Sequence, residues 1–214
     1  MCPVISKARD AWQRFYSKHA MQYGGSGDLR PLLEHLRRDM LVLDAGCGDG
    51  KTTEMLAMKA DVVGCDFSRE ALVTLHSQRD RDSRVNLVEC NIITLPFESE
   101  KFDAIACIHT LSHLPAAGRE RAATELSRVL KRGGYLMLEG FGKSDLRFGE
   151  GNEVEDSSFL RGNGIMTHYF QEGEIPSLFG NLRLVSEVGS VKRVSYGATA
   201  GKRDLLRVVM LRPL

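Results

Sequence analysis

Residues 41–50, Leu41-Val42-Leu43-Asp44-Ala45-Gly46-Cys47-Gly48-Asp49-Gly50, are an apolar run that ends on an acid and passes into three glycines at alternate positions, with a helix expected from Lys51. A chain that bends this sharply after a strand, and lets a ligand lie against its amides, needs residues without a Cβ. The stretch reads as a ligand-binding strand-turn-helix. A dinucleotide fingerprint, G-x-G-x-x-G, would have its third glycine where Lys51 stands, and Asp44 would repel a pyrophosphate. A ligand carrying an ammonium or sulfonium group is instead favoured by that carboxylate.

Outward from the turn, strands and helices alternate. Thr52 to Lys59 reads as a helix, Asp61 to Asp66 as a strand, Arg69 to Gln78 as a helix, and Val85 to Cys90 and Phe102 to Ile108 as strands. A helix near Arg119 to Leu130 and a strand at Tyr135 to Glu139, announced by Gly133-Gly134, complete the series. Such alternation implies a parallel sheet, whose ligands bind beyond the carboxyl ends of the strands. Asp44, Asp66, Asn91, Ile108 and Glu139 fall at or beyond those ends. Upstream, residues 4–20 form an amphipathic helical segment with Trp12, Phe15, Tyr16 and His19 on it, and a second helical stretch opens at Pro31. Downstream, Phe141 to about Asn163 reads as a loop or lid without periodicity. A short helix follows at Gln171 to Phe179, then strands at Leu182 to Val188 and Leu205 to Leu211.

The glycine turn with its preceding acid, the segment Phe102-Asp103-Ala104-Ile105-Ala106-Cys107-Ile108-His109, and Arg128-Val129-Leu130-Lys131-Arg132-Gly133-Gly134 together resemble the class I S-adenosylmethionine-dependent methyltransferases, of the methyltransferase type 11-like kind. Arg132 stands where that family often has proline. The resemblance runs from about residue 40 to 140. It implies a Rossmann-like, doubly wound α/β fold with a mostly parallel seven-stranded sheet and an antiparallel last strand. One methyltransferase domain over 1–214 is expected, with a helical cap at 1–38, a cofactor core at 39–140 and a substrate-side region at 141–214. The implied cofactor is S-adenosyl-L-methionine, held by Asp44, Gly46, Cys47, Gly48, Gly50, Asp66, Phe67, Asn91, Ile92 and Ile108. Asp66 corresponds to the family's ribose acid, while Ser68 is the better helix cap. Asn91 stands where an aspartate often receives the adenine amino group. Asp103, at the start of its strand, is expected to be structural.

Methyl transfer from a sulfonium needs chiefly a positioned nucleophile, so no catalytic residue is evident. Tyr16, Tyr23, His109, His113, His168 and Tyr169 are candidates for the acceptor side. His109 and His113, four apart in a turn, are not expected to hold a metal. Over 214 residues the formal net charge is +1, with 43% hydrophobic and 27% charged residues, which carries no polyelectrolyte signature. Local basic pairs, Arg37-Arg38 and Lys192-Arg193, are the exceptions. A small-molecule acceptor is therefore the expectation. A tRNA or protein acceptor with a partner subunit, or a non-catalytic cofactor-binding module, is the alternative, and an NAD-dependent oxidoreductase conflicts with Lys51. Five cysteines with no close pair suit a reducing compartment. With no secretory or membrane-spanning run in the sequence, a cytoplasmic location is expected.

Overall fold

The computed structural model describes residues 3–18, 28–79, 84–196 and 199–214. Its elements in chain order are α1 (Pro3–Lys18), α2 (Arg30–Leu33), β1 (Leu41–Ala45), α3 (Lys51–Ala57), β2 (Asp61–Asp66), α4 (Arg69–Ser77), β3 (Val85–Glu89) and β4 (Phe102–Ile108). A 3₁₀ turn (Leu111–His113) then leads to α5 (Ala116–Val129), β5 (Leu130–Gly142), β6 (Asn152–Glu155), β7 (Ser158–Leu160), β8 (Met166–Phe170), α6 (Glu174–Ser177), β9 (Arg183–Tyr196) and β10 (Thr199–Leu211).

The main sheet runs in the order β3-β2-β1-β4-β5-β10-β9. Strands β1 to β5 are mutually parallel, and β10 is antiparallel to both β5 and β9. This is the expected Rossmann-like sheet of seven strands with an antiparallel last strand. Its strands are apolar throughout because alternate side chains enter different cores. Val42, Ala104, Ala106 and Met137 pack with Leu32 of α2 and Leu56 of α3. Leu43, Ile105, Leu136 and Leu138 pack with Ala122, Ala123 and Leu126 of α5. Asp103 ties strand starts together, accepting from the Leu41 amide at 2.8 Å and from Lys131 Nζ at 2.7 Å.

The expected loop between Phe141 and Asn163 contains a hairpin instead. β6 and β7 pair antiparallel, and β7 pairs with β8. Their shortness and the exposed acids of β6 hid the two-residue period. β4 ends at Ile108, opposite Glu139. Beyond that point β8 joins β5, aligning Tyr169 with Phe141 and Phe170 with Gly142. The β6–β8 unit thus builds a wall above the carboxyl end of β4. Strand β5 also starts before its expected boundary, because Gly133 and Gly134 pair with Arg212 through bonds of 2.8 and 3.0 Å. Among the described residues, no helix is long and apolar enough to cross a membrane.

Candidate active site

Strand order reverses between β1 and β4, and a cleft of about 730 Å³ opens over their carboxyl ends. At one end it is floored by the glycine turn. The Gly46 and Cys47 amides donate to the Cys65 carbonyl at 2.8 and 3.0 Å, which fastens the turn to β2. Gly46 has φ +83°, and a Cβ there would stand 2.1 Å from Thr110 Oγ1. At Gly48, φ +51°, a Cβ would stand 2.4 Å from the Tyr16 hydroxyl. The turn is therefore glycine-bound from both directions, by β4's exit and by α1 lying over it.

Gly46, Cys47, Gly48, Asp66, Phe67, Asn91, Ile92 and Ile108 all line this cleft. Asp66 Oδ2 accepts from the Gly48 amide at 3.0 Å and Oδ1 from Ser68 at 2.8 Å, so each oxygen keeps a lone pair for a ligand hydroxyl. Burial pushes its carboxyl up to about 6, against the backbone N–H groups that favour its charge. Ser68 caps α4, accepting from the Ala71 amide. Asn91 spends part of its carbonyl on Ile93, at 3.2 Å. Two predicted residues lie behind the turn. Gly50 takes φ +95° at the head of α3, against Leu75. Asp44 is buried and accepts from Thr53 Oγ1 at 2.6 Å, and burial pushes its carboxyl up to about 7.

Lys51, read from the sequence only as a break in a dinucleotide motif, also lines the cleft, and its buried Nζ has no hydrogen-bond partner among the described residues. An orphaned ammonium beside the glycine turn suits a carboxylate. The Cβ-free surface of the turn, Lys51 and the two carboxylate oxygens of Asp66 together fit an adenosyl amino acid.

Of the acceptor-side candidates, Tyr16, His109 and His113 line the cleft. His109 has φ +61° and is held by its amide on the Glu139 carbonyl at 2.7 Å and by stacking on Phe141, with centroids 4.4 Å apart. Burial pushes His109 down to about 3 and His113 down to about 4, so both are neutral. His113 Nδ1 bonds the Met166 carbonyl at 2.7 Å, and its ring meets Trp12 edge-on. His168 and Tyr169 do not line the cleft. His168 is clasped between Ser158 Oγ at 2.8 Å and Glu174 Oε1 at 2.6 Å, and the Tyr169 hydroxyl donates to the Arg147 carbonyl. Tyr23 and His19 lie outside the described residues.

The far end of the cleft is basic, a feature missed in the sequence. Arg121, Arg147, Arg161, Lys192, Arg203 and Arg207 line it. Three of them come from one hairpin. Lys192 and Val194 on β9, with Arg203, Leu205 and Arg207 on β10, alternate with period two and share a face. The register sets Arg203 opposite Lys192 and Lys202 opposite Arg193. Like charges directly across a ladder destabilise it, and Asp145, 3.4 Å from Arg203, offsets part of that repulsion. The Lys192-Arg193 pair was the visible trace of this wall.

A parallel sheet with this strand order, a glycine turn and a buried acid, Asp66, at the reversal point define a methyltransferase-type cleft. The family model for a methyltransferase domain matches residues 42–134. A SAM-dependent methyltransferase from Methanosarcina mazei superposes with a TM-score of 0.72 at 25% identity, covering 88% of this chain and 100% of that one. These matches support a class I S-adenosylmethionine-dependent methyltransferase fold, with a methyltransferase domain over residues 42–134. Among named relatives, the chain is 30% identical to the tRNA N(3)-methylcytidine methyltransferase Mettl2 of Drosophila melanogaster, over 82% of this chain and 61% of that protein. It is also 30% identical to the mouse tRNA N(3)-cytidine methyltransferase METTL2, over 64% of this chain and 39% of that one. The chain thus spans less than two thirds of these relatives. Their substrates overturn the expectation of a small-molecule acceptor. That expectation rested on a net charge near zero, a sum that does not show six basic side chains lining one cleft beside Asp28, Glu139 and Glu155.

Proposed function

We propose that the protein transfers the methyl group of S-adenosyl-L-methionine to the ring nitrogen N3 of a cytidine in tRNA. The observation that carries the RNA reading is the basic wall at the acceptor end. Among the described residues, Arg121, Arg161 and Lys192 form no ion pair, and they stand ready for phosphates. The base and its position come from the tRNA cytidine methyltransferases to which the chain is similar.

The bound cofactor supplies a methyl group already activated by positive sulfur. Lys51 would hold its carboxylate and Asp66 its ribose hydroxyls, with Phe67 and Ile92 offering apolar surface to the adenine. Cytosine N3 carries a lone pair and no proton at neutral pH, so no general base is required. That agrees with a cleft whose two histidines are neutral and whose remaining role is to orient the base and exclude water.

Incubation of the protein with S-adenosyl-L-methionine and unmodified tRNA, followed by nucleoside mass spectrometry, tests this. 3-Methylcytidine should accumulate in proportion to enzyme. Methyl transfer to free metabolites but not to tRNA would reverse the assignment. Calorimetry with S-adenosylhomocysteine, with NADH as control, tests the cofactor separately.

A further inference from the structure

Glu139 is the acid of β5 that faces Ile108 across the ladder, at the point where β4 ends. It lines the cleft, yet its side chain has 0% exposure. One oxygen is committed: Oε2 accepts from Arg207 Nη2 at 2.6 Å, and Arg207 Nη1 in turn lies 3.6 Å from Asp28. The other, Oε1, has no hydrogen-bond partner among the described residues, and His109 Nε2 lies 3.4 Å from it. Arg207 Nε and His109 Nδ1 are likewise buried without partners. Three orphaned polar atoms thus converge in one stretch of the acceptor half, where leaving a buried polar atom unsatisfied carries a free-energy penalty. Burial raises the Glu139 carboxyl, and the Arg207 guanidinium opposes that rise, holding the group toward its ionised form.

A ligand that satisfies such a cluster must offer a hydrogen-bond donor to a carboxylate. We propose that Glu139 is the base-reading residue: Oε1 accepts a hydrogen bond from the exocyclic 4-amino group of the target cytosine and thereby selects cytidine over uridine. This rests on the cytidine reading above. Cytosine presents, around N3, an amino donor on one side and the O2 acceptor on the other. Uracil presents an O4 acceptor at the first position and a proton on N3, so Glu139 would face oxygen lone pairs and repel it. Arg207 Nε and His109 lie beside this acceptor as potential partners for the pyrimidine's remaining edge. The same carboxylate assists the chemistry. As the N3 lone pair forms its bond to the methyl carbon and the carbon–sulfur pair returns to sulfur, the positive charge passes from sulfur to the pyrimidine ring. No proton leaves in that step, and the ring cation forms beside Glu139.

The test pairs an enzyme variant with a substrate variant. tRNA is prepared with cytidine, or with 2-pyrimidinone ribonucleoside, at the methylated position. The second substrate retains N3 and O2 but lacks the 4-amino group. Wild-type enzyme should methylate the pyrimidinone with kcat/KM reduced at least tenfold. E139Q, which keeps an acceptor oxygen without its charge, should lose turnover on cytidine by a smaller factor than E139L. The pyrimidinone is intrinsically the weaker nucleophile at N3, so E139L should narrow the ratio between the two substrates at least fivefold from its wild-type value without abolishing it. S-Adenosylhomocysteine affinity by calorimetry should stay within twofold in both variants, a readout that a collapsed pocket would move. Should E139L fail to fold, the substrate ratio in E139Q decides, and a ratio unchanged from wild type overturns the assignment. Equal rates on them, or undiminished cytidine turnover in E139Q and E139L, overturn the assignment of Glu139 alone. Absence of 3-methylcytidine from wild-type reactions removes the cytidine reading and this assignment together.

Discussion

Asp66 uses each of its two oxygens twice, once for the backbone of its own turn and once, in the proposed complex, for a ribose. Asp66→Ala should therefore weaken S-adenosylhomocysteine by about 1.5–3 kcal/mol, the usual loss for hydrogen bonds to a charged group, read by calorimetry. The same residue sets a pH dependence. Burial pushes its carboxyl up to about 6 in the free protein, and two ligand hydroxyls donate to both of its oxygens at full strength only in the ionised form. Binding must lower that value and release a proton, so affinity should rise with pH up to about 6 and level off above it. A flat profile between pH 5 and 7 would remove Asp66 from the ligand's contacts. Lys51→Met should lose a similar about 1.5–3 kcal/mol through the amino-acid carboxylate, while S-adenosylhomocysteine decarboxylated at that end should bind wild type and variant alike. The glycines and Asp66 were legible in the sequence because their roles are fixed by spacing along one turn. Lys51 was equally visible but carried no signal, since an ammonium left without a partner is a fact of packing, not of spacing.

At the level of elements, the sequence disclosed most where an element's period is unbroken. The bounds of β2 and β4 emerged intact from Asp61–Asp66 and Phe102–Ile108, apolar runs punctuated by glycine or acid. The β6–β8 unit did not emerge, and two acceptor candidates on β8, His168 and Tyr169, were assigned to the cleft although the strand turns both into the wall. His168 bridges β7 to α6, bonding Ser158 on one side and Glu174 on the other. His168→Leu should cost about 1–3 kcal/mol by leaving those two groups unsatisfied. For a chain of this size that lowers Tm by roughly 2–4 °C per kcal/mol. Cofactor affinity should be unchanged, because His168 lies outside the cleft. A variant with normal Tm and lost turnover would restore the residue to the active site. The helix α1 is the opposite case, an element legible as amphipathic whose placement was not. Arg9 donates to the Phe67 carbonyl at 3.0 Å and pairs with Glu89, so α1 is pinned over the β2 and β3 ends. Trp12 and Tyr16 thereby reach the cleft.

For the molecule as a whole, a net charge of +1 concealed an asymmetric field. The acids and bases cancel in sum, while the fold gathers six basic side chains, with Asp28, Glu139 and Glu155 among them, along a single cleft. A sequence average cannot report this, because Arg121, Arg147, Arg161, Lys192, Arg203 and Arg207 come from four separate stretches that only strand order brings together. Their energetic states differ. Arg147 and Arg203 share Asp145, and Arg207 is shared by Glu139 and Asp28, so these are already compensated. Arg121, Arg161 and Lys192 have no such partner among the described residues and are the ones whose charge a phosphate chain gains by meeting. Each phosphate neutralised releases condensed counterion, steepening the dependence of log K on log salt by roughly 0.7 for single-stranded and 0.9 for duplex regions. Binding of tRNA, followed by filter retention between low and physiological salt, should therefore be strongly salt-dependent in the wild type. Arg121→Gln and Lys192→Gln should each reduce the slope by about one contact and weaken affinity regardless of the base at the target position. Glu139→Gln should leave the slope alone while changing the choice of base, since it holds no phosphate. A wild-type slope near zero would mean that the basic wall does not meet RNA.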